Sequence, residues 1–490
     1  MSATDEAANG RTSVRTDEHE GERSARECRA VDEVVRRART AQQRLAERAD
    51  QALLDRAALA IGWALMEPAR NERLSHQAVE ATGLGRIDHK IRKNHRKTLG
   101  LLRDVAGIRT CGIVLDDPAR GLTEIARPLG VIGAVVPSTN PAATPANNAI
   151  NALKCGNAIV LAPSPAGAPV CEALIAAIHE QFDAAGLERD LVQMLPAPPS
   201  KVKTQRLMST VDLVVVTGSQ DNVRRAYTSG TPAIGVGAGN ATVIIDETAD
   251  LRDAAQKIAA SKTFDNSTSC SSENQLIVID AVREPFLREL HAAGGRLLDE
   301  AGCVQLERAL FHDGALERGL IAKDIDVFLA GAGLQVDEPA SARFVVLPSS
   351  GIGPEHPESG EKLSLAVSLY AARDFEHASE LAGQLLAHQG AGHSVGLHSG
   401  DDARAVTLGH RLPTCRVIVN QAHCFATGGS FDNALPFSLS MGCGSWGGNS
   451  IDANLHWRHF LNITRVVRPI PVREPSLDEV FGTYWDEVGR

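Results

Sequence analysis

The alternation of apolar and polar positions divides the chain into three kinds of segment. Residues 1–25 are polar, of mixed charge and without an apolar period, and read as a disordered tail. Over residues 26–66 the pattern becomes helical, with Val31, Val34, Val35, Ala38 and Leu45 near one face and charge on the other. Residues 85–96 are rich in Lys, Arg and His and read as a surface helix. Its His89 and His95 lack the i,i+4 spacing that would put two zinc ligands on one face.

Strand candidates follow at 112–115 and 122–125, and then strands and helices alternate. Strands are expected at 131–136, 158–162, 192–195, 213–216 and 241–245, with helices at 147–153 and 169–185 among them. A helix over 251–264 precedes a strand over 276–279. Further strands are expected at 344–347, 365–370 and 394–397, with a helix at 375–388 and a last strand at 461–470. Such alternation predicts an α/β fold built on parallel sheets covered on both faces, with ligands outside the carboxyl ends of the strands.

Composition narrows the class. At 490 residues the chain is long enough for about three domains. A net charge of −10 without a basic block argues against nucleic acid as a partner. Nine scattered cysteines without a C-x-x-C pair, and no export signal, fit a reducing cytoplasm. No apolar run approaches the ~18 residues of a membrane span.

Against that background Cys270 stands out. It sits at the centre of a Ser/Asn-rich stretch, 265–275, between a helix and a strand, whereas a structural cysteine usually lies inside an apolar run. A polar loop can expose a thiol and activate it. Thr217-Gly218-Ser219, after a strand and before a helix, is a candidate phosphate site, although a simple helix cap fits equally well. The Gly-rich run 235–240 precedes a strand instead of opening a helix, so it reads as a tight turn beside a ligand and not as a dinucleotide loop. No phosphate-loop motif and no metal-ligand set is expected. His388, His393 and His398 read as local hydrogen-bonding residues.

Taken in order, the runs 127–141, 161–165, 235–240, 265–275, 361–364, 392–394 and 442–450 make the chain resemble the coenzyme-A-acylating branch of the aldehyde dehydrogenase superfamily. The run 420–433 is most similar to acylating sulfoacetaldehyde dehydrogenases. The resemblance implies two doubly wound α/β domains and a small β oligomerisation arm. The dinucleotide-binding domain would span 26–111 and 127–245, the catalytic domain 246–455, and the arm 112–126 and 456–473. A cytoplasmic homodimer or homotetramer is implied. So are roles: Cys270 as nucleophile, Asn140 as oxyanion donor and Glu361 on the nicotinamide ribose. Pro163 and Ser164 would line the adenosine side, Gly218 and Ser219 the pyrophosphate side, and Gly237 the turn beside the cofactor. His393 would orient or deprotonate the incoming thiol, a role for which a backbone-bonded turn histidine is an equal alternative.

Two departures from the hydrolytic members matter. Val236 stands where they carry a water-activating glutamate, so a thiol such as coenzyme A is the expected second nucleophile. Ala162-Pro163 replaces their adenosine-side lysine, and no acidic residue follows to claim a ribose 2′-OH, so the site admits NADP as well as NAD. The implied reaction is oxidation of a short aldehyde to its acyl-CoA through a Cys270 thioester. Sulfoacetaldehyde is favoured over acetaldehyde, with His423, Thr427, Ser430 and the N–H groups of Gly428 and Gly429 as candidate substrate contacts. Competing readings are a hydrolytic aldehyde dehydrogenase, disfavoured by Val236, and a non-catalytic nucleotide-binding protein, disfavoured by Cys270, Glu361 and Asn140. A bifunctional aldehyde–alcohol dehydrogenase is not expected at this length.

Overall fold

The computed structural model describes residues 4–312 and 314–490, with side chains from residue 21 onward. A five-stranded sheet forms the first layer, in the order Val192–Met194, Ala158–Pro163, Val131–Val136, Leu213–Val216, Ala233–Gly235. All its neighbours run parallel, and Val131–Val136 is buried at every position, as a strand covered on both faces must be. Helices Thr4–Arg48, Gln51–Met66, Ala143–Lys154 and Ala168–Ala185 pack into the same core, which includes Val31, Val34, Val35, Ala38 and Leu45. The strand order reverses between Val131–Val136 and Leu213–Val216, so the loops at their carboxyl ends splay apart and leave a crevice.

The second sheet has seven parallel strands: Gly295–Leu297, Phe344–Pro348, Ala366–Ala372, Glu273–Ile279, Ala241–Ile245, Val395–His398, Val417–Val419. Its functional loops lie at the amino ends of the strands, not at the carboxyl ends expected from the alternation. Residues 236–239, Cys270, Glu361 and His393 each precede a strand of this sheet. A third sheet pairs Gly112–Asp117 with Leu122–Pro128, and the latter with Leu461–Val467, all antiparallel.

Several expectations need correction. Strand Ala241–Ile245 lies between Glu273–Ile279 and Val395–His398, so the boundary drawn at 245 belongs before it, in the glycine turn. Phe437, Leu455 and Phe460 are buried in the first core, so the chain returns there before 455. The expected tail is in part helical: Thr4–Arg48 is continuous through residues 21–25, where Arg23 pairs with Glu27 one turn on. A helix nucleated by its packed turns extends through polar sequence at little cost. Residues 1–3 of that tail lie outside the described residues. The last strand ends at Val467 rather than 470.

The largest correction concerns the expected surface helix. It runs Ile87–Val105 and buries Lys90, Lys93, Asn94 and Lys97. These positions share one face at helical spacing, and that face is turned inward onto the loop that carries Cys270.

Candidate active site

After helix Leu251–Lys262 the chain passes through three consecutive left-handed residues, Asp265 (φ 50°), Asn266 (φ 51°) and Ser267 (φ 64°). Each such residue costs of order 1 kcal/mol or more, and Asp and Asn bear it best. The surroundings over-determine the turn. Asp265, fully buried, accepts from the Arg86 backbone N–H (2.9 Å) on one oxygen. Its other oxygen accepts from Lys90 (3.1 Å), Lys93 (2.5 Å) and the Thr268 hydroxyl (2.8 Å). Burial alone would raise its pKa, but Lys93 and Lys90 hold it below the usual carboxylate value. Asn266 donates to Asp324 (2.8 Å) and Ser267 to the Lys262 carbonyl (2.8 Å). The turn delivers Cys270, half-buried, to the wall of a cavity of about 420 Å³.

Asn140, Val236, Gly237 and Glu361 line that cavity beside Cys270. Lys93 donates to the Asn140 amide oxygen (3.0 Å), which fixes the amide so that its N–H₂ group is left for a substrate oxygen. His393 places Nε2 3.3 Å from Cys270 Sγ while Nδ1 meets the Ser394 hydroxyl at 2.8 Å. Burial, then Arg416 and His423, pull the His393 pKa down to about 3, so the ring is neutral at physiological pH. The Arg416 guanidinium is spent on Asn454, on the carbonyls of His393 and Gly442, and on that of Asp452; it fixes the histidine from behind. Burial, then Glu361 and Cys443, push the Cys270 thiol up to about 12. Cys270 therefore rests as a thiol beside a neutral imidazole.

A second cavity, about 500 Å³, holds Pro163, Ser164 and Lys201, and shares Pro137, Thr217, Gly218 and Ser219 with the first. The two form one channel across the crevice of the first sheet. Its residues fit a dinucleotide on structural grounds. Ser219 caps helix Gln220–Tyr227 through the Asn222 N–H, and a Cβ on Gly218 would meet nothing within 4 Å. Oε1 of Glu361, deep in the shared cavity, has no partner, and burial raises its pKa to about 8. It suits a hydroxyl donor. No group of three or more His, Cys, Asp or Glu side chains clusters as a metal site among the described residues.

Three candidate substrate contacts fall elsewhere. His423 and Thr427 are buried behind the loop: His423 Nδ1 faces the Ser271 carbonyl (3.1 Å) and Thr427 donates to the His423 carbonyl (2.8 Å). Ser430 opens onto a separate cavity with Arg92, Arg96 and Lys257, and bonds Arg96 and Asp432. Gly428 does line the Cys270 cavity; Gly429 does not, its N–H being taken by the Ala426 carbonyl (3.0 Å). The sequence reading missed Lys93, Lys97, Asp265 and Arg416. The signal for the lysines was their 90, 93, 97 spacing, which is one helical face.

A model of the aldehyde dehydrogenase family matches residues 11–298, and the chain is 56% identical over 461 residues to an acylating sulfoacetaldehyde dehydrogenase of Cupriavidus necator, covering 94% of this chain and 93% of that one. The chain belongs to the aldehyde dehydrogenase family. This aldehyde dehydrogenase is also 36% identical to an acylating sulfoacetaldehyde dehydrogenase of Bilophila wadsworthia, over 90% of this chain and 95% of that one. Among solved structures it superposes on an acetylating aldehyde dehydrogenase of Geobacillus thermoglucosidasius with a TM-score of 0.88 at 32% identity. That match covers 92% of this chain and 99% of the other. The expected α/β fold of two doubly wound domains and a small β arm is thus that of the family.

Proposed function

We propose that this aldehyde dehydrogenase oxidises sulfoacetaldehyde to its acyl-CoA with NADP or NAD as oxidant, through a thioester on Cys270. The observation that carries the acylating step is Val236. It is a buried, apolar side chain on the cavity wall beside Cys270, where a hydrolytic enzyme needs a carboxylate. Without a base, water attacks a thioester poorly, whereas a thiol is already a few per cent ionised near pH 7. The sulfoacetaldehyde assignment draws on the two relatives of that name.

In this reading Cys270 gives its proton to solvent and its thiolate Sγ bonds to the aldehyde carbon, while the neutral His393, its Nε2 3.3 Å away, orients the sulfur. The Asn140 amide and the Cys270 backbone N–H stabilise the oxyanion; one such donor is worth ~3–4 kcal/mol. The bound nicotinamide supplies the acceptor for the two electrons lost. Glu361, with Pro163, Ser164, Gly218, Ser219 and Gly237, holds it in place. Coenzyme A then displaces Cys270 from the acyl carbon.

We place the enzyme in the cytoplasm as a homodimer or homotetramer. Nine free cysteines fit a reducing compartment, and no helix among the described residues is long and apolar enough to cross a membrane. The three-stranded sheet supports assembly, because it leaves Val466, Val467, Ile470 and Val472 exposed at its end. The deciding experiment follows reduced nicotinamide with sulfoacetaldehyde, with and without coenzyme A. Sustained turnover is expected only with coenzyme A, and a burst of about one equivalent without it. Steady formation of sulfoacetate in water alone would refute the acylating reading.

A further inference from the structure

The cation on the wall of the Cys270 cavity has no anion of its own. That cation is Lys97, on helix Ile87–Val105, 7% exposed and one turn beyond Lys93. Among the residues lining the cavity it is the single cation, and Glu361, on the nicotinamide side, the single carboxylate. Its Nζ donates to the Gly428 carbonyl at 2.6 Å, which uses one of three N–H donors.

Five other buried lysines have a carboxylate to answer, while Lys203 spends two of its donors on the Pro196 and Pro198 carbonyls. Lys90 and Lys93 meet Asp265, and Lys154 meets Asp55. Lys262 feels Glu273 and Glu361, and Lys362 feels Glu358 and Glu361. Lys97 pairs with no carboxylate within 4 Å among the described residues, and the groups that act on it most strongly are the cations Arg96 and Lys93 and the thiols of Cys424 and Cys270. The Phe437 ring, 5.5 Å from Nζ, offers a partial substitute. An ammonium taken out of water without an anion is costly, and a methionine of similar volume would avoid the cost. The missing partner can only come from the cavity side.

We propose that Lys97 is the receptor for the sulfonate of the substrate and the residue that sets preference for anionic short aldehydes, an inference that rests on the sulfoacetaldehyde reading above. A sulfonate spreads its charge over three oxygens, stays ionised at any physiological pH, and can take both spare donors in charge-assisted bonds. Lys97 and Cys270 line the same cavity, and Cys270 is near enough to act on the ammonium, so a short aldehyde anchored by its sulfonate at Lys97 lies in the cavity that holds the thiol. Burial, then Arg96, lowers the Lys97 pKa to about 7, and an anion at this position restores the proton.

The test compares kcat/KM for sulfoacetaldehyde and 3,3-dimethylbutanal, in which a tert-butyl group keeps the shape of the sulfonate without its charge. Coenzyme A is present throughout, and the wild type is set against Lys97→Met. The ratio of the two values is the readout, because it cancels any general loss of activity. It is expected to fall by ~100-fold or more, since a site built to bond a polar group rejects the analogue lacking it by that order or beyond. Independently, ethanesulfonate should slow iodoacetamide alkylation of Cys270 in the wild type and not in the variant. If Lys97→Met does not fold, Lys97→Gln serves the same comparison. A wild type that prefers sulfoacetaldehyde and a variant that keeps the ratio within about twofold would overturn the role of Lys97 alone. A wild type without that preference would overturn the substrate reading, and Lys97 with it.

Discussion

Replacing Lys93 by methionine tests whether the oxyanion site is set from outside its own loop. The side chain makes three contacts: Asp265 at 2.5 Å, the Thr268 hydroxyl at 2.9 Å and the Asn140 amide oxygen at 3.0 Å. Breaking a buried ion pair by deleting one partner costs ~3–5 kcal/mol when the other charge is left alone. Asp265 would not be alone, because Lys90, the Arg86 N–H and Thr268 remain at 3.1, 2.9 and 2.8 Å. A stability loss of about 2 kcal/mol is therefore expected, below the full penalty. The catalytic effect is separate. Without Lys93 the Asn140 amide can turn its oxygen toward the developing oxyanion. Complete loss of one donor costs ~10²–10³ in rate, so a partial loss of ~10–100-fold is expected. The assay is a single turnover without coenzyme A, which isolates thioester formation from release. Asn140→Ala sets the ceiling, and in that background Lys93→Met should add nothing further. An acylation rate within about twofold of wild type, or an undiminished effect in the Asn140→Ala background, would refute the reasoning.

Other outcomes follow from the same geometry. Cys270→Ala should abolish oxidation in the standard assay. Cys155→Ala and Cys171→Ala should retain it, because both side chains are packed in the first core and neither lines the Cys270 cavity. With the Cys270 pKa pushed up to about 12, iodoacetamide labelling of the free enzyme should climb about tenfold per unit from pH 7 to 10, as the thiolate fraction does. A plateau below pH 9 would mean a stronger activator than the neutral His393. Val236→Glu should add only slight hydrolysis of the thioester, measured as free sulfoacetate, because a base must also be held at hydrogen-bonding distance from its water. Truncation after residue 460 removes strand Leu461–Val467 and should yield a smaller species in sedimentation; an unchanged assembly would point to another interface.

Much of the molecule was legible from periodicity because its strands are buried on both faces. Val131–Val136, Leu213–Val216 and Phe375–His388 lie where apolar runs and helical spacing put them. Cys270 was legible because a thiol among serines and asparagines is out of keeping with a packing role. Helix Ile87–Val105 was misread for a physical reason: its buried face carries lysines, and patterning treats charge as solvated. Only the fold brings Asp265 to that face across more than 170 positions. Arg416 was hidden for another reason: its four acceptors, 23 to 38 positions away, are backbone carbonyls and an asparagine that no local pattern marks. The boundary at 245 failed because strand Ala241–Ile245 reads alike in either sheet, and pairing partners are not written in a strand's own residues.

The clamp of Lys90 and Lys93 on Asp265 joins residues from the first part of the chain to a turn in the second. During synthesis the segment that bears Cys270 emerges after its clamp, so the thiol acquires its buried, protonated posture only when the two halves have met. Cys270 reactivity is therefore a built-in reporter of docking. A preparation in which both halves are folded yet imperfectly apposed would keep its far-ultraviolet signature while Cys270, no longer held up at about 12 by burial, labels faster. Expressed as two fragments cut within the glycine turn at 235–240, the enzyme should recover the slow labelling of the intact chain only on mixing, with a dependence on concentration that measures how strongly the halves hold each other.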